Sequence, residues 1–244
     1  MLYTTKGIVI HHFKYSEKSV IAKIYTEKYG LQSFLLNGVR NSKSKNKAAY
    51  LQPLSLVEIN AFHKEKKGLQ QLKNIQLANP YTSIPFNINK TSIAFFLAEI
   101  LYKSIKEEEP NEALFEFLYH AFQVLDLETS NYANFHLLFL GQLSKFLGFY
   151  PQNTAIDYTG NIYFDLQEGF FTHLEPQHKL YTKSPLSNQL INILNTAVSN
   201  NKSSLVLDYH SRKTLLNTFL NYYSLHLSNF DNFKSLEILE AVLS

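Results

Sequence analysis

The sequence predicts an α+β protein, with a small closed β-barrel at the N-terminus followed by a helical domain that carries a short β-like insertion. Three observations predict it. Residues 1–80 read as short β segments separated by tight turns. Beyond Asn79-Pro80 the apolar residues recur every three or four positions, the period of a helix face. The charge divides at the same place. Residues 1–80 hold 13 Lys+Arg against four Glu, a net +9, and the remainder holds 10 against 16, a net −6, in a chain whose total is only +3. A basic first third on an acidic remainder is the asymmetry of a nucleic-acid-binding module joined to a helper domain. The 244 residues suit two domains, 1–80 and 81–244. A hydrophobic share of 45% excludes general disorder, and the absence of Cys excludes disulfides, thiolate zinc sites and cysteine nucleophiles.

The strands follow in order. Gly7–Phe13 is rich in β-branched and aromatic residues. Ser19–Glu27 sets Val20, Ala22 and Ile24 on one face and Lys23 and Glu27 on the other. Lys28-Tyr29-Gly30 turns the chain into Leu31–Gly38, and Pro53–Phe62 sets Val57, Ile59 and Ala61 on one face. Leu69–Leu77, after the turn Lys66-Lys67-Gly68, alternates poorly. Five short strands, with one long polar excursion between the third and fourth, suit a small closed barrel.

Ile93, Phe96/Leu97, Ile100/Leu101 and Ile105 then mark the first helix, ended by the acidic run Glu107–Glu109, read as a solvated terminus, and Pro110. Leu114, Phe117/Leu118, Ala121/Phe122 and Leu125 mark the second. Phe135, Leu138/Phe139, Leu143 and Phe146/Leu147 mark the third, with Gly148 as a left-handed cap. Residues 149–184 lose the period and form the insertion. Helical spacing returns at Leu190, Leu194 and Val198, at Leu216, Phe219/Leu220, Tyr223 and Leu227, and weakly over Leu236–Leu243.

Several chemistries are absent. There is no phosphate-binding Gly-rich loop, no Gly-x-Ser-x-Gly elbow and no His-Glu-x-x-His pair. His11 and His12 are adjacent, so on a strand they point to opposite faces. His173 and His178 lack a neighbouring carboxylate or thiolate cluster, and Glu99 lacks a second carboxylate. The segment Met1–Gly7 lacks the basic region and apolar core of a secretory signal, and no apolar run approaches the roughly 18 residues that span a bilayer. The chain is therefore expected to be soluble and cytoplasmic.

One constellation remains. The excursion Gly38-Val39-Arg40-Asn41-Ser42-Lys43-Ser44-Lys45-Asn46-Lys47 places four cations within eight residues, interleaved with Asn and Ser and containing no acid. Phosphate backbones are the natural polyanion for it, and its small polar residues can donate to phosphate oxygens. Tyr15, Tyr25, Tyr29 and Tyr50 lie in or beside the same turns and strands. An exposed one can stack on bases, whereas Tyr25 reads as core.

A family resemblance rests on blocks that occur in order. They are Lys6-Gly7-Ile8-Val9, then Tyr15-Ser16-Glu17-Lys18-Ser19-Val20-Ile21, then Tyr29-Gly30-Leu31, then Asn37 to Ser44, then Leu51-Gln52-Pro53-Leu54. The chain resembles the bacterial recombination mediator RecO family. Downstream, Phe95 to Leu101 resembles the family's first helix after the barrel. Phe146-Leu147-Gly148-Phe149-Tyr150-Pro151 resembles the approach to its zinc-binding insertion. The resemblance implies an OB-fold, a nonenzymatic DNA-repair and homologous-recombination role, and binding of single- and double-stranded DNA with annealing of complementary strands. It implies work with RecR to load RecA onto single strands coated by single-strand-binding protein, and a nucleoid-associated location. The nucleic-acid-binding candidates are Lys6, Lys14, Tyr15, Lys18, Arg40, Asn41, Ser42, Lys43, Lys45 and Lys47. Arg212 and Lys213, beside Leu215 and Leu216, are candidates for meeting the acidic C-terminal tail of single-strand-binding protein; the plainer reading is cations at the start of a surface helix.

One departure is clear. Many relatives carry four cysteines in the insertion and this chain has none, so the insertion is expected to hold without zinc, through Phe164, Phe170 and Phe171. The rival classes are an RNA-binding or scaffold protein using the same basic barrel and, last, a nuclease using carboxylates that form no recognisable motif.

Overall fold

The computed structural model describes residues 2–17, 19–37, 49–62, 68–130, 132–153, 160–198 and 205–243. They form two compact units, Met1–Leu127 and Glu128–Ser244.

The first unit begins with five strands, β1 (Leu2–Lys14), β2 (Ser19–Thr26), β3 (Gly30–Asn37), β4 (Leu56–Phe62) and β5 (Gln70–Asn79). They close in the order β1-β2-β3-β5-β4, with β4 pairing back onto β1. The expected barrel is therefore present and OB-like. β1 starts earlier than its apolar run suggests, because Tyr3 and Thr5 point inward opposite Ala61 and Ile59 while Thr4 and Lys6 point out. A polar Thr on the inner face hid that alternation. β5 alternates poorly for a related reason. Its pairing with β4 shifts register twice, and only Gln70 and Ile75 are buried along it.

Val9, Val20, Ala22, Ile24, Phe34, Leu36, Val57, Ile59, Ala61 and Ile75 fill the barrel. Gly7 sits where a Cβ would come within 2.6 Å of Ile24, so the strands approach there only because the side chain is missing. Gly30 adopts φ +59° at the β2–β3 turn, where a Cβ would strike the Glu109 carbonyl. The acidic run thus serves twice. Its carboxylates are exposed, while the Glu107 carbonyl accepts from Leu31 N–H at 3.1 Å.

Two helices complete this unit, α1 (Ile88–Ser104) and α2 (Glu112–Leu127). Tyr25 is buried on the outside of the barrel and stacks on Phe115 of α2. The chain between barrel and α1 is held by one carboxylate. Asp126 accepts from the backbone N–H groups of Thr82, Ser83 and Ile84 at 2.8–2.9 Å and from the Thr82 hydroxyl at 2.9 Å. Buried Lys90 donates to the Asp126 carbonyl and to Ser83 Oγ. Burial works against the charged Asp126, but those donors hold its pKa below the usual carboxylate value.

The second unit holds α3 (Phe135–Phe146), α4 (Leu186–Asn195), α5 (Tyr209–His226) and α6 (Leu236–Val242). Gly148 caps α3 at φ +84°, and Phe149 N–H returns to the Ser144 carbonyl. Val198 lies beyond α4, which stops at Asn195, yet it is still buried. The insertion is a small sheet of β6 (Gln152–Asn153), β7 (Tyr163–Asp165), β8 (Phe170–Thr172) and β9 (Tyr181–Lys183), in the order β6-β8-β7-β9. Phe164 and Phe171 face each other across β7 and β8 with centroids 4.7 Å apart, both buried, and Phe164 also meets Tyr222 of α5; Phe170 is half-buried.

Candidate nucleic-acid interface

Arg40, Asn41, Ser42, Lys43, Lys45 and Lys47 lie outside the described residues, as does Lys18. The ends of the excursion are placed. It departs at Asn37, the last residue of β3, and returns at Tyr50 and Leu51, which pack on the barrel core. Ser19 pairs with Asn37 in the ladder and donates from Oγ to Asn37 Oδ1 at 2.8 Å. The β1–β2 turn closes on the same residue, because Tyr15 N–H and Ser16 N–H both donate to the Ser19 carbonyl. Lys14 and Tyr15, the latter 61% exposed, therefore stand at the root of the basic excursion.

Lys6 is not brought there. It opposes Glu58 on β4 and its ammonium lies over the Tyr119 ring at 5.5 Å, eight residues or about 26 Å of strand from Lys14. Tyr29 is also committed elsewhere, edge-on to Tyr3 in the core cluster.

A row of rings stands on the outer face of β1 and β2. His11 and Phe13 share that face at i, i+2, with centroids 6.3 Å apart. Tyr102 of α1 sits 4.6 Å from His11, and Lys23, the ladder partner of His11, lies over the Tyr102 ring at 5.2 Å. Phe13 is 42% exposed and Tyr102 38%. Burial first, then the charges of His12 and Lys23, lowers the His11 pKa against the opposing pull of Glu99, so the ring is neutral at pH 7. The i, i+2 spacing was readable in the sequence; the arrival of Tyr102 was not.

In the second unit, Arg212 and Lys213 are already engaged. Arg212 donates to Asn134 Oδ1 and to the carbonyls of Leu243 and Leu207 at 3.0–3.2 Å. Lys213 pairs with Glu240 of α6 at 2.7 Å. The groove they border is lined by His136, Tyr209 and Leu216, and α6 lies along it with Leu239 buried. Burial, with a contribution from Arg212, lowers the His136 pKa to about 3.

The zinc that the resemblance implies for the insertion does not fit these residues. No Cys is present, and the described residues hold no group of three or more His, Asp or Glu able to ligate a metal. His178 spends both nitrogens on the protein. Nδ1 accepts from Leu180 N–H, and Nε2 donates to Asp165 Oδ2 at 3.1 Å. Asp165 Oδ1 in turn accepts from the N–H groups of Gln167 and Glu168. The one lone pair of the neutral imidazole is taken by Leu180 N–H and is not left for a cation.

Comparison with known proteins agrees along the whole chain. The family model for the recombination protein O N terminal matches residues 1–81, and that for the recombination protein O C terminal matches residues 85–237. Proteins named DNA repair protein RecO are similar throughout. The one from Flavobacterium psychrophilum is 40% identical over all of both chains, and that from Flavobacterium johnsoniae likewise. The Bacteroides fragilis protein is 38% identical over 98% of each.

Proposed function

This chain belongs to the RecO family, and from that premise we propose that it acts in DNA repair and recombination as a nonenzymatic mediator. In this reading residues 1–80 bind single- and double-stranded DNA. Arg40, Lys43, Lys45 and Lys47 neutralise backbone phosphates, with Asn41 and Ser42 donating to phosphate oxygens, while Lys14, Tyr15 and Lys18 extend the contact along the barrel end. Lowering the repulsion between two strands lets complements anneal. The observation that carries the reading is positional: the turn bearing Lys14 and Tyr15 is hydrogen-bonded to the root of the excursion that holds four cations in eight residues.

RecR, RecA and the acidic tail of single-strand-binding protein enter as partners on the family's account. For the tail, Arg212 and Lys213 supply the right charge, but an incoming carboxylate must displace Glu240 from Lys213.

The test is DNA binding across a salt series. Replacing Arg40, Lys43, Lys45 and Lys47 together by Ala is expected to flatten the log–log salt dependence on single strands by about 3. Unchanged affinity and slope would refute the assignment. A strand-annealing assay with and without single-strand-binding protein separates this reading from an RNA-binding or scaffold role.

A further inference from the structure

We infer that the ring row Tyr102–His11–Phe13 is a stacking platform for the bases of single-stranded DNA, separate from the phosphate-binding excursion. The inference rests on the reading that the chain binds DNA, and it names the surface that touches bases rather than backbone.

The geometry has three parts. The row is continuous: Tyr102 lies 4.6 Å from His11, and His11 lies 6.3 Å from Phe13. Its ends are open, since Tyr102 and Phe13 keep 38% and 42% of their surface in solvent. It also points along β1 toward Lys14 and Tyr15, and so toward the root of the excursion. A strand whose phosphates meet Lys14 can lay its next bases on the rings.

The charges suit bases more than phosphates. Lys23 lies over Tyr102 and supplies one cation, and exposed Lys14 ends the strand. The negative charge of Glu99 on α1 acts on His11, which disfavours a phosphate directly over that ring. The imidazole is neutral at pH 7 and offers a π-face instead of a charge. Each ring of such a platform contributes through stacking that every base can supply, so binding is tolerant of sequence.

The occupant this surface suits is therefore an unpaired DNA strand. A duplex, whose bases are already stacked, gains nothing from the rings. A protein partner on the same face would leave DNA affinity unchanged by the substitutions below.

The experiment compares a base-bearing oligodeoxynucleotide with an abasic one of equal length, using the full chain. The wild type is expected to bind the base-bearing strand about tenfold or more tightly. Phe13→Leu and Tyr102→Leu keep an apolar cover over the barrel and remove one ring each. Each is expected to lower base-bearing affinity by about fivefold to tenfold, leaving abasic and duplex affinity and the salt slope as they were. Tyr102→Phe keeps the ring and should bind as the wild type does. Equal wild-type affinity for the two strands overturns the platform and leaves phosphate binding intact, as does a parallel loss on both strands in the Leu variants. Failure of the wild type to bind either strand overturns the DNA reading itself.

Discussion

The barrel of the first unit and the α5–α6 groove of the second treat their basic residues in opposite ways. Among the described residues of the barrel, Lys6, Lys14, Lys23, Lys28 and Lys73 form no ion pair, and two of them, Lys6 and Lys23, rest over aromatic rings instead. In the second unit, Lys213 is bound to Glu240 and Arg212 is enclosed by three oxygens of its own chain. A cation over a ring keeps its donors for a phosphate. A cation held by a carboxylate or by carbonyls must exchange one partner for another, so its attraction for an outside anion is reduced by what it gives up. The difference separates cations available to a polyanion from cations that hold the fold. It also explains why net charge, summed over the chain, says so little.

The sharpest way to break this comparison is to delete cations on each side. The fourfold Ala replacement at Arg40, Lys43, Lys45 and Lys47 should lower single-strand affinity by about 100-fold to 1000-fold when salt is well below 1 M. Arg212→Ala should leave DNA affinity unchanged and lower stability in urea by about 1–3 kcal/mol, since it orphans the acceptors it now satisfies. DNA loss in the second variant equal to that in the first would erase the distinction.

Asp126→Ala comes next. Three backbone N–H groups and a hydroxyl lose their acceptor at once, so the first unit should lose about 2–4 kcal/mol in denaturant unfolding. Its depressed pKa means that this stability is present above the unfolded value and is lost as pH falls through the folded one, so the effect belongs to strongly acid solution.

The second unit should feel acid sooner. The His136 pKa falls from its ordinary 6.5 to about 3 on burial, so between those values the unfolded chain holds a proton that the folded chain lacks. Stability is full above pH 6.5 and declines toward pH 3, with uptake of about one proton on unfolding. His136→Phe should remove that slope in pH-dependent unfolding and leave the acid limb from Asp126 in place.

The smallest effect is at the edge of the groove. Glu240→Gln breaks a solvent-screened pair and should change stability little in denaturant unfolding. By releasing Lys213 it should also tighten binding of the single-strand-binding protein tail, measured by titration of the labelled tail peptide. Weaker binding would mean that Lys213 does not meet the tail.

Much of this was legible in the sequence. The five strands, the three helices of Ile88–Ser104, Glu112–Leu127 and Phe135–Phe146, and the Gly148 cap all follow from periodicity and turn chemistry, which are local. The first residues of β1 carry no hydropathy signal because Thr5 is polar and yet buried beside Ile59. Strand pairing supplied what hydropathy did not. Arg212 and Lys213 read as an exposed cationic pair, and nothing nearby in sequence announces that Leu207, Leu243, Asn134 and Glu240 satisfy them, because three of those four lie 27–78 residues away.

The kind of protein is written in the chain: a basic barrel ahead of acidic helices, a family likeness block by block, and an insertion that has no thiolate for zinc. Such properties live in composition and short-range pattern, and they survive without coordinates. Which groups are spent and which remain depends on how the chain folds. The tertiary structure sets Tyr102 against His11, pins Arg212 with carbonyls and occupies both nitrogens of His178. The physical reason is that a charge or a ring is defined by its contacts, and those contacts come from residues that the chain brings together only by folding.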